Sequence, residues 1–310
     1  MSKLAFVFPG QGSQSVGMLA ELVSEYPVVA NTFQQASDVL GYDLAGLIAN
    51  GPAEELNDTS RTQPALLAAS VALWRLWNEL GGTQPSMLAG HSLGEYSALT
   101  CAGVLDFADA LKLVEYRGQL MQKAVPAGVG AMSAIIGLGN QEILDACAQA
   151  AESEVVTAVN FNSPGQVVIA GHKAAVERAN VLCKEAGAKR ALPLPVSVPS
   201  HCALMQPAAD ELAGYIEGIT FSEPQFDVIN NVDVAIETDA KAIKLALIKQ
   251  LYSPVRWTET VETMVSKGVD TLYECGPGKV LTGLAKRIHK PLVAAAINDL
   301  TSVKSALDNK

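Results

Sequence analysis

The sequence predicts an α/β fold, a mostly parallel sheet with helices on both faces that carries a smaller inserted unit. Three observations predict it. Short apolar runs alternate with helical periodicity in the first half of the chain, the pattern of strands fed by crossover helices. Residues 128–198 change to the order βαββαβ, that of a ferredoxin-like unit. A Gly-His-Ser-Leu-Gly run closes one apolar strand and opens a helix. With 310 residues, 49% hydrophobic and 17% charged, the chain can bury the core of one large unit plus an insertion, and disorder is excluded.

Taken in order, Leu4–Phe8 reads as the first core strand, and a helix precedes Tyr26. A helix is expected from Pro64 to Leu80, then the strand Ser86–Gly90, the helix Glu95–Ala102 and an amphipathic helix from Asp106. In the insertion, Ala131–Ile136 is a strand and Gln141–Ala151 a helix. Val155–Phe161 and Val167–Ala170 flank the turn Asn-Ser-Pro-Gly. His172–Ala186 is a second helix and Arg190–Val196 the last strand. The chain re-enters the large unit near His201. The expected division is therefore 1–127 with 199–310 for the large domain and 128–198 for the insertion.

Composition also bounds the function. A formal net charge of −10 argues against general nucleic-acid binding. Lys279, Lys286, Arg287 and Lys290, or Lys184, Lys189 and Arg190, could receive an anionic partner, or simply be solvated surface. Apolar runs fall far short of the roughly 20 residues a membrane span needs. The N-terminal residues lack the basic start and cleavage site of a signal peptide. Five scattered cysteines suggest reduced thiols, so the expected compartment is the cytoplasm.

Gly90-His91-Ser92-Leu93-Gly94 fits a strand, sharp turn and helix, which lifts a serine out of the sheet edge. The helix N-terminus then offers backbone N–H groups where an oxyanion would form. The bland alternative is a serine that only caps the helix. A serine nucleophile needs a base. Among four histidines, His91 should point away from the turn, His172 opens a surface helix and His289 lies in a basic stretch. His201, in the proline-rich loop Leu192–His201, is the best placed. Asp106, Asp109 and Asp145 are the acids a triad could draw on, but the first two suit helix capping and the third sits on a helix of the insertion. A Ser–His dyad, with its imidazole oriented by something other than a carboxylate, is therefore expected.

Arg117 falls on the apolar stripe of its helix, between Val114 and Met121. A buried guanidinium must find an anion. That anion is either a nearby glutamate or a carboxylate on the substrate, held by two parallel hydrogen bonds.

With these residues in hand, the chain resembles the malonyl-CoA:acyl carrier protein transacylase family of bacterial fatty acid synthesis. Similarity runs through Phe6-Val-Phe-Pro-Gly-Gln-Gly-Ser-Gln, Thr62-Gln-Pro-Ala-Leu, Gly90-His-Ser-Leu-Gly-Glu and Glu115-Tyr-Arg-Gly. It continues through Asn160-Phe-Asn-Ser-Pro-Gly-Gln-Val-Val-Ile-Ala-Gly, Val198-Pro-Ser-His and Glu274-Cys-Gly-Pro-Gly. The resemblance implies an α/β-hydrolase-like large domain with a ferredoxin-like insertion. It implies Ser92 as acylated nucleophile, His201 as general base and acid, and Arg117 as partner of the malonyl carboxylate. Backbone N–H groups of Gln11 and Leu93 would form the oxyanion hole. The main-chain carbonyl of Gln250 would orient the histidine. Gln63 would line the pocket, or serve only near a helix start with Pro64 in the first turn. Substrates would be malonyl-CoA and holo acyl carrier protein, with no bound metal or cofactor, no nucleic acid and no membrane, and the chain would act as a monomer. Cys202, beside His201, reads as a buried thiol rather than a zinc ligand. Two rival readings remain at this point. One is a serine hydrolase or thioesterase acting on acidic acyl thioesters; the other is a non-catalytic module that binds acidic acyl groups.

Overall fold

A computed structural model describes residues 3–196 and 198–308. Ser197, one position of the proline-rich loop expected to deliver His201, lies outside the described residues, as do Met1, Ser2, Asn309 and Lys310. The strands in chain order are β1 Leu4–Phe8, β2 Met87–Gly90, β3 Gly130–Ile136, β4 Val156–Ser163 and β5 Gln166–His172. They continue with β6 Arg190–Pro193, β7 Asp227–Ile229, β8 Thr271–Glu274 and β9 Val293–Ala296.

Five strands form one sheet in the order β7-β2-β1-β8-β9, and every pairing in it is parallel. Every residue of β1 is buried, which explains its unbroken apolar run: a parallel sheet is covered on both faces. Phe6 meets Trp74 and Trp77 edge-on in one layer. Ala5 and Val7 face Trp257, Val261 and Met264 in the other. The strands run outward from β1 through β2 to β7 on one side and from β8 to β9 on the other, so the loop leaving β1 opens at a topological switch point, where α/β proteins bind ligands, and the loop leaving β2 lies beside it.

The second sheet is antiparallel, in the order β4-β5-β3-β6. Together with the helices Asn140–Ala151 and Lys173–Glu185 it makes the ferredoxin-like unit. Ile143, Val176 and Ala179 from those helices pack on Ile135, Val167 and Ile169. Two backbone hydrogen bonds, among others, join β4 to the large unit: Val255 N–H donates to the Val159 carbonyl at 2.8 Å, and Phe161 N–H to the Val255 carbonyl at 3.0 Å.

Of the boundaries that differ from the sequence reading, three bear on the site. The helix expected at Pro64 begins at Thr59, with Asp58 capping it through the Ser60 N–H at 2.9 Å, so Pro64 lies beyond its first turn. The helix after the nucleophile starts at Leu93, directly behind Ser92. Strand β6 ends at Pro193, because Pro193 and Pro195 have no N–H to extend the ladder.

Candidate active site

Two strand ends and a helix start converge at Ser92. Ser92 adopts φ 54°, ψ −111°, a strained conformation between β2 and the helix Leu93–Cys101. Glycines permit the turn. A Cβ on Gly94 would lie 2.0 Å from the Phe8 carbonyl oxygen, and one on Gly90 would lie 1.8 Å from the Gly94 carbonyl carbon. These two positions need glycine for space, which is why the motif is read by its flanks as much as by its serine.

Ser92 Oγ lies 2.8 Å from His201 Nε2, although the two are 109 positions apart. On its other side His201 Nδ1 is 2.7 Å from the Gln250 main-chain carbonyl. That carbonyl can only accept, so Nδ1 carries the hydrogen and Nε2 is left to accept from the serine hydroxyl. His201 is 3% exposed. Burial first, and the Arg117 charge second, push its pKa down to about 3, so the imidazole is neutral and ready to take a proton. No carboxylate touches it among the described residues. Asp106 instead caps its helix through the Ala108 N–H, and Asp145 accepts from Gln141.

Arg117 is 1% exposed. Its guanidinium donates to Gln63 Oε1 at 2.7 Å, to Gln250 Oε1 at 3.0 Å and to Ser92 Oγ at 3.3 Å. No ion pair with a carboxylate forms among the described residues. The adjacent Glu115, the internal partner a sequence reading would offer, pairs with Arg61 at 3.0 Å. Gln63 is buried beside Arg117, in the middle of the site rather than at a helix start. The N–H groups of Gln11, in the loop after β1, and Leu93, at the helix start, have no acceptor among the described residues. Both residues line the same cavity as Ser92, Arg117 and His201. The insertion walls this cavity with Met132 and Asn160, and the following loop adds Leu194 and Val196.

Three participants were missed. Glu95, 2% exposed, accepts from Gln250 Nε2 at 2.8 Å and from the Asn231 N–H at 2.9 Å. Burial lifts its pKa to about 7. Asn231 in turn accepts the Ser92 N–H at 2.7 Å and donates to the Gly90 carbonyl at 2.6 Å. His91 points away from the hydroxyl, as expected, but it reaches Asn162 of β4 at 2.8 Å and lines the cavity. A lone acid within the buried helix Leu93–Cys101 was a usable signal for Glu95; Asn231 had only its place after a strand. His172 accepts the Val155 N–H at 2.9 Å, and Cys202 is a buried thiol donating to the Pro199 carbonyl at 3.1 Å.

A strained serine on a parallel sheet, a neutral imidazole in reach of it and two free amides beside it are the equipment of an enzyme that passes acyl groups through a serine ester. The chain belongs to the acyl transferase domain family, whose model matches residues 5–303. It is 65% identical over 307 residues to a malonyl CoA-acyl carrier protein transacylase of Salmonella typhimurium, covering 99% of each chain. A crystal structure of an acyl carrier protein S-malonyltransferase from Vibrio cholerae superimposes with a TM-score of 0.97 at 69% identity, covering 98% of this chain and 99% of that one. A structure of a type II PKS acyl-carrier protein in complex with its malonyl-transacylase matches with a TM-score of 0.99 at 65% identity, covering both chains fully. The protein is an acyltransferase.

Proposed function

We propose that the enzyme moves a malonyl group from malonyl-CoA to the phosphopantetheine thiol of acyl carrier protein, through a malonyl ester on Ser92, and so supplies fatty acid elongation. The observation that carries this is Arg117: a buried guanidinium with only amide and hydroxyl partners, 3.3 Å from Ser92 Oγ. A buried cation without an anion is costly, and a carboxylate at the far end of the acyl group would relieve it. The relatives' names point to the same substrate class.

Ser92 Oγ attacks the thioester carbonyl carbon while its proton passes to His201 Nε2. The carbonyl oxygen, now anionic, is held by the Gln11 and Leu93 N–H groups. As the C–S bond breaks, His201 returns the proton to the departing coenzyme A thiolate. In the second half, the carrier thiol gives its proton to His201 and attacks the malonyl ester, and Ser92 Oγ leaves and takes that proton back. The Arg117 charge is one reason His201 holds protons poorly. A malonyl carboxylate seated on Arg117 offsets that charge, so the correct substrate also strengthens its own base.

On this reading coenzyme A enters only as part of the substrate, and no resident metal or cofactor is required. The enzyme works in the cytoplasm, as a monomer. No described helix is long and apolar enough to cross a membrane.

The test is intact-protein mass spectrometry after brief mixing with malonyl-CoA, peptide mapping, then addition of holo acyl carrier protein. A malonyl adduct on the Ser92 peptide that moves to the carrier supports transfer. Free malonate released at a rate indifferent to the carrier would overturn it in favour of a hydrolase.

A further inference from the structure

The Ser92–His201 pair has no carboxylate of its own, yet an acid stands one residue behind it. Glu95 Oε2 holds Gln250 Nε2 at 2.8 Å and the Asn231 N–H at 2.9 Å. Gln250 touches His201, Arg117 and the Ser92 turn at once. Its main-chain carbonyl takes the His201 Nδ1–H, its side-chain oxygen takes Arg117, and its amide nitrogen also reaches the Ser92 carbonyl at 3.0 Å. A Gln side chain can rotate end over end, and with its amide nitrogen turned toward Arg117 the guanidinium, which only donates, would lose an acceptor. Glu95 joins the donor-only guanidinium and the acceptor-only Ser92 carbonyl in fixing that orientation, the amide nitrogen facing the carboxylate and the oxygen facing the guanidinium. Through Asn231 the same carboxylate fixes the Ser92 N–H and the Gly90 carbonyl, the two sides of the strained turn.

We propose that Glu95 is a positioning residue of the transfer reaction, which acts through Gln250 on His201 and Arg117 and through Asn231 on the Ser92 turn. It does the orienting work of a triad acid at one remove. Here the polarity of the amide is passed on to the guanidinium that is to seat the substrate.

The charge matters as well as the shape. Glu95 is pushed up to about 7 by burial, partly offset by its two N–H donors and Arg117. Asp233 opposes its ionisation from the segment after β7, and Glu237 lines a small cavity with it. Tyr96 is the titratable neighbour on its own helix. Protonation below about pH 7 gives Glu95 a hydroxyl donor and weakens its hold on both N–H groups.

This inference rests on the reading of Ser92 and His201 as the transferring pair, so the experiment runs wild type, Ser92→Ala, Glu95→Ala and Glu95→Gln together. Malonyl transfer to holo acyl carrier protein is followed from about pH 5 to about pH 9, alongside thermal unfolding. Glu95→Ala should lower kcat on the order of 100-fold with KM nearly unchanged, as expected for misplaced reacting groups. Glu95→Gln keeps an acceptor oxygen without the charge, so it should fall between Glu95→Ala and wild type, near the level to which wild type declines on the acid side. It should also lack the acid-side fall in kcat/KM expected of wild type as Glu95 takes up its proton, while the same substrate titrates identically in both. Unchanged kcat in Glu95→Ala would overturn the proposal, as would an acid-side fall that persists in Glu95→Gln. Should Glu95→Ala fail to fold, the Glu95→Gln profile alone decides. A Ser92→Ala variant that still forms a malonyl-enzyme, or a wild type that forms none, would sink the underlying reading instead.

Discussion

The two sheets divide the labour unequally. Gln11, Ser92, Leu93, Arg117, His201 and Gln250 all come from the large unit: Gln11 and Ser92 from the loops after two strands, Leu93 from a helix start, Arg117 from within a helix, His201 from a loop and Gln250 from a helix end. The antiparallel insertion supplies wall: Met132 and Asn160, with Leu194 and Val196 on the loop that leaves it. It is fastened to its host by the pair of hydrogen bonds between β4 and Val255 and by the His91–Asn162 contact. Reacting groups must be held to fractions of an ångström, and a parallel sheet buried on both faces can do that. A wall needs only to be the right shape and can be hung from the edge. The difference teaches that damage in one unit should strike chemistry, and in the other recognition or stability.

Breaking the large unit should give the largest effect. Ser92→Ala should lower kcat by about 10⁴-fold or more and abolish the malonyl adduct, read by steady-state rates and mass spectrometry. Next comes Arg117→Ala, which should cut malonyl transfer about 100- to 1,000-fold and acetyl transfer far less, since only malonyl carries a second carboxylate. Equal losses for the two acyl groups would make Arg117 structural. The same substitution removes one cause of the low His201 pKa, so imidazole titration by NMR should move upward.

The insertion sharpens the comparison from the other side. Ile169 is fully buried in its core, so Ile169→Ala should lower stability by about 2–5 kcal/mol, measured by denaturant unfolding. Malonyl-enzyme formation by the folded fraction should survive. Its loss would show that the insertion shapes the chemistry itself. Asn160 Oδ1 is buried at the cavity and has no hydrogen-bond partner among the described residues. Asn160→Ala should raise KM by about tenfold or less and leave kcat nearly intact, the mark of uniform binding.

The smallest effect concerns pH and folding. His201 takes a proton far more readily unfolded than folded, where burial and Arg117 hold its pKa near 3. Its neutral form is therefore undisturbed above the ordinary histidine range, and stability should fall progressively as pH drops from about 6.5 toward 3. A His201→Gln variant should show a shallower acid-side decline in unfolding temperature.

By itself the sequence determined what is local. Periods of two and 3.6 residues marked the strands and helices, and a change in their order marked the second, antiparallel sheet. The glycines around Ser92 announced a turn too tight for side chains, and Arg117 stood out as a charge on an apolar stripe. Helix starts were read less well, since a proline inside the helix Thr59–Glu79 imitates a first turn while the true cap, Asp58, sits earlier. Tertiary structure alone decided the partnerships. Nothing in spacing says that His201 reaches Ser92 across 109 positions, that Gln250 turns its carbonyl to that histidine, or that Glu95 and Asn231, 136 positions apart, close the network behind it. The physical reason is that periodicity records which face of an element is buried, whereas the contacts of that face are set by how elements stack. The missing triad acid shows this best: no aspartate has the sequence context for the role, because a main-chain carbonyl, invisible in any sequence, fills it.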